Sequence, residues 1–93
     1  MTLKVEYEFY SDGTFDKIWR NEKGELHRED GPALECANGK KSWYKNRLWH
    51  REDGPAIVWH DGTHLYFLND KQYSKKEYWE VIKRLKKEKK GRK

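Results

Sequence analysis

Two identical heptads, His27-Arg28-Glu29-Asp30-Gly31-Pro32-Ala33 and His50-Arg51-Glu52-Asp53-Gly54-Pro55-Ala56, begin 23 residues apart and hold most of the candidate chemistry of the chain. Histidine beside carboxylates is the usual make-up of an acid–base site. His27 or His50 as base, partnered by Glu29, Asp30, Glu52 or Asp53, would suit a hydrolase. Two histidines one period apart could also be halves of a metal site. Both ideas meet one objection: a catalytic centre gathers different groups around one substrate, whereas the same set repeated at a fixed interval is what a corner used twice requires. His60 and His64 are four apart, but Asp61-Gly62 between them breaks the helical spacing that paired ligands need. Cys36 is the single cysteine, which excludes an internal disulfide and a cysteine-built zinc site and fits a reducing compartment. The residues therefore predict no enzyme, no catalytic residues, no metal and no cofactor. The heptad reads as turn chemistry, with Asp accepting from backbone N–H groups, Gly supplying positive φ and Pro at a strand start or edge. Arg28 and Arg51 are expected to reach acids or carbonyls of the neighbouring copy.

The elements that would position these corners follow from the same offset. Leu34 falls on Ile57, Asn38-Gly39 on Asp61-Gly62, Trp43-Tyr44 on Tyr66-Phe67 and Asn46 on Asn69. Each unit reads as one β-hairpin, its Asn-Gly or Asp-Gly expected to form a two-residue type I′ turn with positive φ at both positions, with another turn after the second strand at Asn46 or Asn69. A degenerate first unit turns at Ser11-Asp12-Gly13, after a strand in which Leu3, Val5, Tyr7 and Phe9 alternate with Lys4, Glu6 and Glu8, the pattern of a half-buried strand. Its longer loop at Asn21-Glu22-Lys23-Gly24 breaks the period, as terminal units of an array do. After Tyr73, Ser74 and Glu77 form a capping box, Tyr73 and Tyr78 a hydrophobic staple, and Tyr78, Val81, Ile82 and Leu85 an apolar stripe. The expected fold is mainly β (α+β): one domain over 1–93, an antiparallel β-meander of about three 23-residue hairpin repeats closed by an amphipathic helix. Its parts are an irregular hairpin at 1–26, repeats at 27–49 and 50–72, a helix at 74–88 and a basic tail at 89–93.

Only 34% of the 93 residues are hydrophobic, so five Trp, six Tyr and three Phe must supply much of a modest core. Formal charge is −3 over residues 1–70 and +8 over residues 71–93. Affinity for a polyanion therefore belongs to the C-terminal segment. No apolar run approaches membrane length, and the expectation is a small soluble protein without a membrane partner.

HREDGPA followed by an Asn-Gly or Asp-Gly turn and a Trp-Tyr pair resembles the H-R-x-D-G-P-A hairpin repeats of many small proteins of tailed bacteriophages. The period is also similar to that of MORN repeats, without their Gly-rich consensus, and YSKKEYW resembles the helical end of the phage proteins. The resemblance spans roughly residues 12–82. It implies architecture and no catalytic residues, and it places the protein in the bacterial host cytoplasm during infection, where inhibition of a host defence factor is the implied use.

The expected function is binding of RNA or a ribonucleoprotein through the basic helix, by Lys83, Arg84, Lys86, Lys87, Lys89, Lys90 and Arg92, with exposed sheet aromatics Trp43 and Trp49 and their neighbours Lys45 and Arg47 stacking bases or anchoring a partner. The alternative is a protein–protein inhibitor or adaptor that grips one host or phage protein with its sheet face. Free edges, at Leu3–Tyr10 or the final hairpin, would allow a homo-oligomer.

Overall fold

The computed structural model describes residues 4–91, and side chains for residues 4–88. Leu3 and Arg92 lie outside the described residues, as do the side chains of Lys89 and Lys90. The chain runs through β1 (Lys4–Phe9), β2 (Phe15–Arg20), β3 (Leu34–Glu35), β4 (Lys41–Ser42), β5 (Tyr44–Lys45), β6 (Leu48–Trp49), β7 (Ile57–Val58), β8 (His64–Leu68), β9 (Lys71–Tyr73) and α1 (Lys75–Gly91). Among the described residues seven strands form one antiparallel sheet in the order β1-β2-β3-β4-β7-β8-β9, and β5 and β6 pair as a separate two-stranded sheet. The chain is mainly antiparallel β with one C-terminal helix.

The tight turns differ from the expected type I′. At Asn38-Gly39 and Asp61-Gly62 only the glycines have positive φ, 94° and 91°. The Gly39 N–H donates to the Cys36 carbonyl at 2.9 Å while the Cys36 N–H donates to Lys40 at 2.8 Å, the pattern of a three-residue loop with a glycine bulge. Asn38 and Asp61 stay out of the left-handed region because their side chains accept the N–H two residues on, from Lys40 at 3.0 Å and Thr63 at 2.9 Å. Paired positive φ occurs instead at Asn46-Arg47 (50° and 75°) and Asn69-Asp70 (50° and 70°). These are the second turns expected at Asn46 and Asn69, and they join β5 to β6 and β8 to β9.

The molecule measures 51 × 34 × 17 Å. A sheet this thin buries little, and the core divides into two aromatic clusters in its C-terminal half. Tyr66, Leu68, Tyr78 and Ile82, with Tyr73 and Val81, join α1 to β8 and β9. Ala56, Ile57 and Phe67 pack with Trp43, Trp49, Trp59 and Leu65 around the second heptad. The helix begins as its sequence requires: the Glu77 N–H donates to Ser74 Oγ at 3.2 Å and Glu77 Oε1 accepts the Ser74 N–H at 3.3 Å. Leu85, expected in the docked stripe, is 38% exposed; the fully buried part of the stripe ends at Ile82. β1, expected to be half-buried, is exposed along its whole length: among the described residues Val5, Tyr7 and Phe9 belong to neither core cluster, and the two rings pack only with each other and with Phe15 and Lys17 of the same hairpin.

Candidate partner-binding surfaces

Each heptad closes a corner with one set of bonds. The His27 ring is buried; its Nδ1 accepts the Asn46 N–H at 2.9 Å and its Nε2 lies 2.8 Å from Glu29 Oε2. His50 does the same with the Asn69 N–H at 3.0 Å and Glu52 at 2.9 Å. A backbone N–H on Nδ1 fixes the proton on Nε2, which donates to the carboxylate. Both nitrogens are committed to the fold, so neither ring offers a free base. Lys45 adds a contact to Glu29 at 3.4 Å. Burial works to raise the Glu29 carboxyl, but the bond from His27 and the charge of Lys45 outweigh it and hold the group below the ordinary glutamate range.

Arg28 and Arg51 bond within their own units, Arg28 also pairing with Glu35 at 3.7 Å, rather than to acids or carbonyls of the adjoining copy. Their Nε atoms donate to Asp30 at 3.1 Å and Asp53 at 2.8 Å, and their terminal nitrogens to the Pro32 and Pro55 carbonyls. They reach the preceding unit by stacking, with each guanidinium carbon 3.9 Å from a ring centre, Trp19 for Arg28 and Trp43 for Arg51. A Cβ at Gly31 would stand 2.8 Å from the Arg28 guanidinium carbon, and one at Gly54 2.9 Å from that of Arg51. These glycines are not at positive φ, contrary to the turn reading; they leave room for a guanidinium lying between glycine and indole.

A cleft of about 710 Å³ lies between the two corners and α1 and is lined by Arg28, Trp43, Lys45, Arg51, Glu52 and Lys86, among others. Three of the sequence-predicted site residues, Trp43, Lys45 and Lys86, thus meet there. Glu29, Asp30, Glu52 and Asp53 line the same cleft and balance its cations, so it is no phosphate site. Trp43 already carries Arg51 on its ring, and Trp49 packs between Tyr44 and Phe67, with ring centres at 5.8 and 5.1 Å. Neither presents the free face that base stacking needs. Arg47 is exposed in its turn, apart from this cleft.

Lys83, Arg84, Lys86 and Lys87 are all exposed on α1, and among the described residues no carboxylate forms an ion pair with them. Trp79, 39% exposed, shares a stripe with Lys83, Lys86 and Lys87, four, seven and eight residues on. The sequence reading missed Trp79, whose spacing from these lysines was the available signal. The other exposed rings, Tyr7, Phe9, Tyr10 and Phe15, lie on the first hairpin, at the far edge of the sheet from the helix. Among the described residues no helix is long and apolar enough to cross a membrane. Comparison with known proteins finds no family model that matches the chain and no curated protein or solved structure that is similar to it.

Proposed function

We propose that the chain is a non-enzymatic binding protein of the tailed-phage repeat type, an array of about three 23-residue units closed by a helix, which binds RNA or a ribonucleoprotein through α1 in the host cytoplasm. The observation that carries this reading is the exposed stripe of Trp79, Lys83 and Lys87 on α1, clear of the acid-lined cleft that Lys86 borders. Cations along one side of an α-helix follow a phosphate chain, and a ring beside them gives a base something to stack on. Trp79 takes the part expected of Trp43 and Trp49. Occupying an RNA or ribonucleoprotein of a host defence system would inhibit it.

Fluorescence anisotropy with labelled single-stranded RNA at 50 mM salt tests the reading. Binding is expected to weaken with salt at a log–log slope of about −3.5 if about five charges meet phosphates. Lys83→Glu/Lys87→Glu should abolish binding, and Trp79→Ala should cost about 1 to 3 kcal/mol of it. No binding by the unaltered protein would overturn the reading.

A second reading, a protein–protein inhibitor or adaptor, is favoured by the exposed rings of Tyr7, Phe9 and Phe15, whose mutual centre distances of 5.4 to 6.3 Å make one apolar surface. Residues 4–16 carry one lysine against four acids, which suits a protein and repels nucleic acid. Pull-down from lysate with and without ribonuclease separates the two: loss of all partners after ribonuclease supports the first, one retained protein the second.

A further inference from the structure

The first strand is an open edge with a charge pattern that its own hairpin leaves unresolved. β1 pairs with β2 on one side, and among the described residues no strand pairs with the other. Within that ladder Lys4 stands directly opposite Arg20, and Glu8 opposite Asp16. Like charges in directly opposed positions destabilise an antiparallel pair. Arg20 and Asp16 have partners elsewhere: Arg20 holds Glu6 at 2.9 Å, and Asp16 accepts from the Tyr10 hydroxyl at 2.5 Å and the Ala37 N–H at 2.7 Å. Lys4 and Glu8 form no ion pair among the described residues. The two unresolved charges have opposite sign and sit four residues apart on one strand.

The direction of the backbone groups is fixed by the same register. The Tyr10 N–H donates to the Thr14 carbonyl at 2.8 Å, so Tyr10 and Thr14 are a hydrogen-bonded pair. Alternation along an antiparallel ladder then turns the N–H and C=O groups of Glu8, Glu6 and Lys4 toward β2, and those of Val5, Tyr7 and Phe9 outward. The open edge thus offers three outward-facing residues from a strand of six.

We propose that β1 is a self-recognition edge, pairing antiparallel with β1 of a second copy about a two-fold axis at Glu6, with Val5 opposite the partner's Tyr7 and Lys4 opposite the partner's Glu8. In this register the outward groups of Val5 and Tyr7 exchange hydrogen bonds with their counterparts. Both copies place Lys4 beside the partner's Glu8 in non-hydrogen-bonded positions, where cross-strand side chains come closest. The two Glu6 residues meet at the axis, each already neutralised by its Arg20. Sliding two residues one way sets Glu6 against the partner's Glu8, and sliding the other way leaves Glu8 without a cation. The pairing joins two sheets into one and brings the aromatic faces of both first hairpins side by side, with the α1 helices at the two far ends. It stands independently of RNA binding.

Sedimentation velocity at about 10 to 200 µM chain suits a contact of this small size. The unaltered protein should move from monomer to dimer across that range. Val5→Pro removes an outward N–H that the monomer does not use, so it should keep the β-rich circular dichroism and remain monomeric. Lys4→Glu should weaken the dimer at least tenfold, and Lys4→Glu/Glu8→Lys should restore it. A monomer at every concentration overturns the proposal. A dimer that survives Val5→Pro assigns association to another surface, and equal dimerisation of Lys4→Glu overturns the register.

Discussion

The two HREDGPA corners share seven residues and the same internal bonds, yet they are covered differently. At the first, Lys45 lies over Glu29 and the next strands of the sheet follow. At the second, the position equivalent to Lys45 is Leu68, buried in the cluster beneath α1, and Tyr78 closes the corner from above. The Tyr78 hydroxyl donates to the Arg51 carbonyl and accepts the Gly54 N–H at 3.3 Å, and its ring lies 4.8 Å from that of Tyr66. One corner is thus interior to the array, and the other is where it stops. The helix covers the second corner by supplying, from one phenol, a donor and an acceptor to its backbone.

The largest effect should come from removing that closure. Tyr78 is fully buried, and Tyr78→Ala should destabilise by about 3 to 5 kcal/mol in urea unfolding, with loss of helical ellipticity. If the corners differ only in what covers them, Tyr78→Phe should cost less, about 1 to 3 kcal/mol, as the price of leaving the Gly54 N–H unpaired. A Tyr78→Ala protein as stable as the parent would mean that α1 is an appendage rather than a cap.

Next come the histidines, where the corners should behave alike. His27→Ala strands the Asn46 N–H, and His50→Ala strands the Asn69 N–H. Each should lower stability by about 1 to 3 kcal/mol, and the two values should agree within about 1 kcal/mol. Normal stability with loss of an enzymatic activity would reverse the structural assignment of the heptad.

The glycines come third. Gly31→Ala pushes Arg28 off Trp19, which should forfeit a stacked contact of about 0.5 to 2 kcal/mol and change Trp fluorescence. Gly54→Ala should cost more than Gly31→Ala, since Gly54 also bonds Tyr78. Equal costs would remove the distinction between interior and end.

What the sequence makes legible here is what repeats or what is local. The 23-residue offset, the capping box at Ser74 and Glu77 and the return at Asp61-Gly62 all show in the letters, because each rests on neighbours or on identity at a fixed interval. The turn at Asn46 or Asn69 shows too, but its paired positive φ does not, since Asn46-Arg47 and Asn69-Asp70 lack the glycine that advertises it. Nor does the fate of the rings: Trp43 and Trp49 lie among the same kinds of residue as Phe9 and Phe15. Which are covered depends on a guanidinium eight residues further along the chain and on a helix that reaches only part of the sheet. Trp79 was legible in principle through its spacing from the α1 lysines.

The smallest effect should separate the corners by pH. Glu29 titrates below the ordinary glutamate value because the His27 bond and Lys45 together outweigh its burial. A carboxyl whose folded value is depressed adds stability that is present above its unfolded pKa and is lost as pH falls through the folded one. Lys45→Leu installs at the first corner the residue type found at the second. The Glu29 carboxyl should then titrate at a higher pH by NMR, while retaining the part of its depression that comes from His27. The ammonium and carboxylate are both substantially exposed, with 38% and 63% of their side-chain surface accessible, so the cost at pH 7 should stay below about 1 kcal/mol. That difference should disappear in acid, once Glu29 is protonated in both proteins. An unmoved Glu29 midpoint in Lys45→Leu would show that the histidine alone sets the carboxylate and that the ammonium covering the first corner has no electrostatic part in it.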